Sequence, residues 1–241
     1  MAEKVLKRVL LKLSGELLGG AGGQGLDLAA IAAVAERVRE ATDLGVQVGL
    51  VVGAGNLFRG LGASQRGMDR CAADAMGMLA TVMNAMALRA AFESQGVAAD
   101  IQSAIAMTGL VEPFDDRRAG ALLDAGRLVL FAGGTGHPFF TTDTTAALRA
   151  CQIGADAILK GTKVDGIYSA DPVTHPQAER YARISHREAL AQRLGVMDSA
   201  AFSLCMDNRI PIIVFRFGVP GELARLLTGD LSSATLVDAD A

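Results

Sequence analysis

The sequence predicts an α/β fold in which a mostly parallel sheet is sandwiched between helices. Strand-like apolar runs alternate with segments of helical period along the whole chain. Several of these runs end in glycine-rich turns that lead into helices, as parallel crossovers require. The composition supplies the core: 51% of the 241 residues are hydrophobic, mean hydropathy is +0.32, and the 20% charged fraction is too low for a disordered chain.

Each element has a local reason. Val5 to Leu11 reads as a strand, broken at its end by Lys12-Leu13-Ser14-Gly15. Asp27 caps a helix that carries Leu28, Ile31, Val34, Ala35 and Val38 at helical spacing, with Gly45 closing it. Val46 to Val52 is a second strand, followed by Gly53-Ala54-Gly55-Asn56. A long helix then carries Met76, Leu79, Met83 and Met86 on one stripe, the mark of a core or subunit interface. Ala99 to Ala106 is a short strand, Leu122 to Gly126 ends a helix, and Arg127 to Phe131 is a buried strand. After it come the loop 132–143 and a helix over Thr144 to Ala150. Ala155 to Lys160 is a strand, and Gly161 to Pro172 a loop. Ser185-His186-Arg187-Glu188 has capping-box spacing and opens a helix through Leu194, with His186 solvated. His175, between Thr174 and Pro176, reads as a loop residue. Asp198 caps the next helix, Ile212 to Phe217 is a strand, Pro220 suits the first turn of a further helix, and Thr235 to Val237 is a last short strand. No linker, repeat or low-complexity tract divides the chain.

The same composition narrows the function classes. A net charge of −3 leaves no basic stripe to neutralise a nucleic-acid backbone. The segment Met1 to Arg8 has scattered charges and no signal-peptide core, and no apolar run approaches membrane-spanning length. Cys71, Cys151 and Cys205 lie far apart with no CxxC spacing and read as buried small hydrophobes in a reducing compartment, with a metal site a remote alternative. The expectation is a cytoplasmic protein with neither nucleic-acid nor membrane partner.

Three loops leave strand ends, where open α/β sheets bind ligands. They are Lys12-Leu13-Ser14-Gly15, Gly53 to Gly60, and the 133–143 loop. Each combines glycine, which lets backbone N–H groups approach a ligand, with a phosphate-holding side chain: Lys12 and Ser14, Arg59, or Thr141 and Thr142. Together they point to a nucleotide- or phosphate-handling enzyme. Gly20-Ala21-Gly22-Gly23-Gln24-Gly25 matches G-x-G-x-x-G but does not join a strand to a helix, so it reads as a flexible loop. No G-x-x-x-x-G-K-[ST] is present, so a P-loop kinase is not supported.

Lys12-Leu13-Ser14-Gly15-Glu16, Gly55-Asn56-Leu57-Phe58-Arg59-Gly60, the run from Gly134 to Asp143 and Lys163-Val164-Asp165-Gly166 occur in that order. In this the chain resembles the bacterial uridylate kinases of the amino acid kinase superfamily, from about Lys7 to Leu236. The resemblance implies a single domain over 1–241, a three-layer α/β/α sandwich whose N-terminal part binds mainly UMP and whose C-terminal part binds mainly ATP. It implies the reaction of ATP with UMP to give ADP and UDP, with Mg²⁺ accompanying ATP. By the same resemblance Lys12, Leu13, Ser14, Gly15, Gly55, Arg59, Thr162, Tyr168 and Asp171 would hold ATP. Ala54, Asp74 and the residues Thr135, Gly136, His137, Pro138, Phe139, Phe140, Thr141 and Thr142 would hold UMP. Gly20, Ala21, Gly22, Gly23, Gln24 and Gly25 correspond to a segment linked to activation by GTP; UTP inhibition and a homo-oligomer, a hexamer in the family, are further implications.

The chemistry agrees. Phosphoryl transfer rests on positioning and charge stabilisation, so Lys12 with Lys160 or Lys163 would neutralise the transferring group. Arg59, which the resemblance places with Gly55 near the junction of the two nucleotides, would also suit a static UMP phosphate. Asp143 would orient Lys12 or a Mg²⁺-bound water; the alternative for it is a helix N-cap. Two residues depart from the family pattern. Ala54 replaces a usual Gly and keeps a backbone contact only if its φ is negative. His137 replaces a common Asn and bears on pyrimidine selectivity. Other superfamily members, such as carbamate, acetylglutamate or aspartate kinases, and storage proteins of the same fold, are the rival readings.

Overall fold

The computed structural model describes residues 6–239 apart from 173 and 193; Val5, expected to start the first strand, lies outside them, as does the rest of 1–5. Nine strands of the described residues form one sheet: β1 (Arg8–Leu13), β2 (Gln47–Val52), β3 (Ala99–Ser103), β4 (Glu112–Pro113), β5 (Leu128–Ala132), β6 (Ala157–Thr162), β7 (Arg183–Ser185), β8 (Ile212–Arg216) and β9 (Thr235–Asp238). Their order is β4-β3-β5-β2-β1-β6-β8-β9-β7, and every pair is parallel except β8 with β9. The mostly parallel α/β sandwich is therefore as expected.

Apolar alternation along the central strands builds the two faces. In β1, Val9, Leu11 and Leu13 face one core while Leu10 faces the other. The first core is covered by α1 (Leu28–Asp43), α3 (Arg70–Ser94) and α8 (Glu222–Leu227), through residues such as Ile31, Leu88 and Leu226. The second is covered by α4 (Asp116–Asp124), α5 (Thr142–Ile153), α6 (His186–Ala191) and α7 (Ser199–Asp207), through Leu123, Ala147, Ala189 and Phe202. A short α2 (Gly60–Ser64) precedes α3. The chain leaves β1 for β2 on one side, while β6 lies on the other. That change of direction opens a crevice at the carboxyl ends of β1, β2 and β6.

Several local expectations need correction. Lys12 and Leu13 do not break β1; both lie in it, because β2 and β6 flank it as far as Lys12 and Leu13 is buried. β6 likewise runs on through Gly161 and Thr162, paired with β8. β3 stops at Ser103, whose hydroxyl accepts the Ile105 N–H at 3.1 Å and turns the chain. α6 ends at Ala191 rather than Leu194, and Pro220 precedes the Gly221 cap of α8. His186 is buried, not solvated, with its Nε2 3.1 Å from the Ile210 carbonyl oxygen. Cys205 is buried, Cys151 half-buried and Cys71 exposed, so the third is no core residue. The α3 stripe is not core either: Met76, Leu79 and Met83 are exposed, and only Met86 packs on the interior. By length and composition α3 is also apolar enough to cross a bilayer, contrary to expectation, because its run is rich in Ala, Leu and Met. Its inward side, however, packs on α1, β3 and β5 and buries Thr81 and Asn84, as core helices of globular domains do.

Candidate active site

Lys12 and Lys160 stand side by side in register on the neighbouring strands β1 and β6. Adjacent ammoniums repel, and Asp143 resolves this: its carboxylate lies 2.7 Å from the Nζ of each. Asp143 comes from the first turn of α5, whose N-cap is Thr141, not Asp143. Thr141 accepts the Asp143 N–H at 3.0 Å. The three side chains are 12%, 9% and 16% exposed for Lys12, Lys160 and Asp143, so their charges act in a largely dry setting. Burial lowers the Lys160 ammonium to about 8, despite the nearby Asp143 carboxylate, which pulls it up. Burial pushes Asp143 up, but Lys12 and Lys160 together outweigh it and hold the carboxyl below its ordinary value. Lys160 also donates to the Val196 carbonyl.

The three glycine loops converge around this cluster because β1, β2 and β6 are neighbours and β5 adjoins β2. After β1, Ser14 caps a short 3-10 turn over Gly15–Leu18. Gly15 is required by close approach: a Cβ there would lie 2.3 Å from the Gly53 oxygen and 2.5 Å from Asn56 Oδ1. After β2, Ala54 is buried and does not adopt positive φ, which Phe139 and Arg209 are the only non-glycine described residues to do. The condition for an Ala at this position is thus met. After β5, Gly133 has φ of +74°, and a Cβ would meet Ser103 Oγ at 2.7 Å. Phe139, at φ of +72°, is a strained position for a bulky residue. Its N–H donates to Asp74 Oδ2 at 2.7 Å, and its exposed ring lies 5.1 Å from the Arg70 guanidinium. Arg70 in turn donates to Asp74 at 2.7 Å. Asp74 at the start of α3 and the 135–142 loop are therefore brought together, as expected.

Thr135, His137 and Phe140 line a cavity of about 580 Å³ with Phe114 and Arg149. Arg149 is buried, 3.6 Å above the Phe114 ring, and burial lowers its guanidinium to about 10. On the other side of the cluster, Tyr168 and Asp171 line a cavity of about 410 Å³ between the loop after β6 and Val196. Tyr168 donates to Asp165 at 2.8 Å, and Thr162 donates to the Val164 carbonyl at 2.5 Å. Lys163 does not join Lys12 and Asp143. It is exposed and lies 2.7 Å from Glu16, which also accepts from Arg59. The hydrogen bond from Lys163, with the charges of Lys163 and Arg59, holds the Glu16 carboxyl below the usual range. The segment Gly20–Gly22 forms a 3-10 turn, and Gly25 pairs with Asn56.

Sequence reasoning missed four participants. Glu16 was visible only inside its motif, although the Arg59 and Lys163 on either side of it were foreseen. Asp198, expected only to cap α7, also accepts from Thr141 and, at 2.8 Å, from Thr144. Arg149 and Asn84 lie in helices with no local motif to mark them. Among the described residues no cluster of three His, Cys, Asp or Glu side chains is arranged to hold a metal.

The model of the amino acid kinase family matches residues 7–216. Among solved structures, the chain is similar to a UMP kinase from Bacillus anthracis at 36% identity and a TM-score of 0.94, covering 99% of this chain and 98% of that one. A UMP kinase from Ureaplasma parvum matches at 35% identity and 0.90, covering 96% and 98%. A uridylate kinase from Archaeoglobus fulgidus matches at 30% identity and 0.72, covering 95% and 99%.

Proposed function

Because the chain belongs to the amino acid kinase family, we propose that it transfers the γ-phosphoryl group of ATP to UMP, giving ADP and UDP. The observation that carries the proposal is the Lys12–Asp143–Lys160 cluster at the meeting point of three glycine loops, in a chain similar over nearly its full length to UMP kinases. In this reading the residues 1–241 act as one domain. The N-terminal part holds mainly UMP, and the C-terminal part mainly ATP.

The mechanism needs little covalent chemistry from the protein. A UMP phosphate oxygen is ionised near neutral pH and attacks without a base, so Asp143 acts as an orienter. It fixes Lys12 and Lys160 before the substrate arrives, and the two ammoniums then meet the charge spread over the transferring group. Backbone N–H groups around Ser14, Gly15 and Gly55 approach the phosphates, with Thr162, Tyr168 and Asp171 around the adenine nucleotide. Arg59 holds the UMP phosphate, exchanging Glu16 for it. The Ala54 backbone, Asp74, and Thr135 to Thr142 hold the rest of UMP. Asp143 and Glu16 already face cations, so Mg²⁺ would be held mainly by the ATP phosphates themselves and would supply shielding of their charge. The remaining expectations belong to the same proposal: a role in cytoplasmic pyrimidine nucleotide synthesis, a homo-oligomer such as a hexamer, GTP activation through Gly20 to Gly25, and UTP inhibition.

An ADP-release assay with ATP and Mg²⁺ tests it, offering UMP, CMP, carbamate, N-acetylglutamate and aspartate separately. Turnover with UMP is expected, falling by about 10²-fold or more in Lys12→Ala. Turnover with carbamate or a carboxylate instead would overturn the substrate assignment, and comparable kcat/KM for CMP and UMP would remove the selectivity.

A further inference from the structure

Asn84 is fully buried on α3, and Asn56 in the loop after β2 is 5% exposed. Their side chains face each other as a reciprocal amide pair: Asn84 Nδ2 donates to Asn56 Oδ1 at 2.8 Å, and Asn56 Nδ2 donates to Asn84 Oδ1 at 3.0 Å. Each amide has one N–H left, and each uses it on a loop carbonyl. Asn84 donates to the Gly53 oxygen at 2.8 Å, and Asn56 to the Gly25 oxygen at 2.7 Å. Gly25 N–H returns to the Asn56 carbonyl at 2.8 Å. All four amide hydrogens therefore have partners, and flipping either group would set oxygen against a carbonyl. An unmade bond here would leave buried polar groups unpaired.

We infer that Asn84 is a positioning residue: it holds the phosphate loop directly at Gly53 and, through Asn56, ties that loop to the Gly-rich segment ending at Gly25. The inference rests on the proposed function for the word phosphate, but the tie itself does not. The placement bears on why Gly15 cannot carry a Cβ, because the Gly53 oxygen and Asn56 Oδ1, both bonded by Asn84, fill that space. The neighbouring turns of α3 treat the third loop in the same way: Thr81 Oγ1 accepts the Gly133 N–H at 2.9 Å, and Asp74 accepts the Phe139 N–H. Asn84 differs in joining two loops through one partner, so a change at Gly25 is felt at Gly53 and the reverse.

The test compares Asn84→Ala and Asn84→Asp with wild type by amide hydrogen exchange and by UMP kinase kinetics. The Gly25, Leu57 and Phe58 amides are hydrogen-bonded within these loops. In substrate-free Asn84→Ala all three should exchange faster together, while Thr145 on α5 keeps its protection. kcat/KM should fall by about 10²-fold, the effect of a displacement of about 1 Å at the reacting groups. In Asn84→Asp a buried carboxyl has a raised pKa. Protonated, it donates to the Gly53 oxygen; ionised, it repels it. Relative to wild type at each pH, this variant should therefore recover activity and loop protection as pH falls from 8.5 to 6, whereas the ratio of Asn84→Ala to wild type should stay constant. If Asn84→Ala does not fold, Asn56→Ala serves, with Gly25 exchanging faster while Leu57 keeps its protection through Asn84 and Gly53. Unchanged exchange at Gly25 and Leu57 in Asn84→Ala, or an Asn84→Asp profile parallel to wild type, would overturn the inference. Faster exchange in a protein that does not phosphorylate UMP would keep the tie and remove the proposed function.

Discussion

At the residue scale, Asp143 decides the chemistry, because one buried and one largely buried ammonium depend on one carboxylate. Replacing it by Asn removes the ion-pair partner of both cations and leaves Lys160 only the weaker pull of Asp198, and losing one partner of a buried pair costs about 3–5 kcal/mol. The Asp143→Asn variant should therefore unfold at markedly lower urea than wild type at pH 7, measured by circular dichroism, and should lose turnover; an unchanged midpoint would mean that the cluster does not hold the fold. Lys160 supplies a pH signature. Its ammonium is lowered to about 8 by burial, so the free enzyme loses that charge as pH rises through 8. Since kcat/KM reports the free enzyme and kcat the complex, kcat/KM should show an alkaline limb near pH 8. In kcat the limb should lie higher, because bound phosphates favour the charged lysine. A profile flat from pH 7 to 9 would remove Lys160 from the reaction. Lys12, Arg59 and Asp143 stood out because each sits in a short motif, whereas Asp74 came only with the family resemblance. The choice between Lys160 and Lys163 was not, because it depends on the register of β1 against β6 and on the side of the strand end from which each projects.

At the element scale, the strong periodic segments were legible and the short ones were not. α1 and α5 announce themselves by apolar spacing, and β5 by a run of buried residues. β4 and β7, at 2 and 3 residues, are too short for alternation to register, and they form because a neighbouring strand offers its edge. The ends of β1 and β6 moved for the same reason: flanking strands extend pairing through residues that look like loop. The misreading of His186 has a measurable consequence. A capping-box neighbour looks solvated, yet the fold of α6 buries the ring, and burial lowers its pKa below 6.5 against weaker upward pulls from the Asp238 and Ile210 backbone. The unfolded chain takes up a proton near pH 6.5 that the folded chain refuses. Stability from this group is thus full above that pH and is lost as pH falls toward the depressed folded value. The urea midpoint should drop between pH 7 and 5.5 in wild type and drop less in His186→Gln, which retains an N–H donor for Ile210 without titrating. Equal drops in both proteins would assign the effect elsewhere.

At the scale of the whole molecule, α3 is the helix with work on both sides. Its inner side buries Thr81 and Asn84 against the loops, while its outer side exposes Met76, Leu79 and Met83 at 44%, 47% and 54%. The spacing of these three sets one apolar stripe along the helix, and Leu61 and Met68 add exposed apolar surface just before it. Exposed apolar side chains at this spacing are the kind of surface that marks an interaction site. The sequence showed the stripe but not which way it faces, since the same spacing serves a core or an interface. Facing outward, it supports the homo-oligomer of the proposed function, and the simplest arrangement pairs α3 with α3 of a second copy about a two-fold axis. Such an interface needs about 800 Å² from each partner, and a charge at its centre is costly because it is desolvated. Leu79→Glu should therefore lower the mass measured by light scattering, while the exposed control Leu44→Glu should not. Because Asn84 lies little more than one turn beyond Leu79 on the same helix, loss of the partner should also speed exchange at Leu57 and Phe58. Wild type eluting as a monomer at micromolar concentration would sink the pairing. A smaller assembly with unchanged loop exchange would keep the interface and separate it from the loops it sits behind.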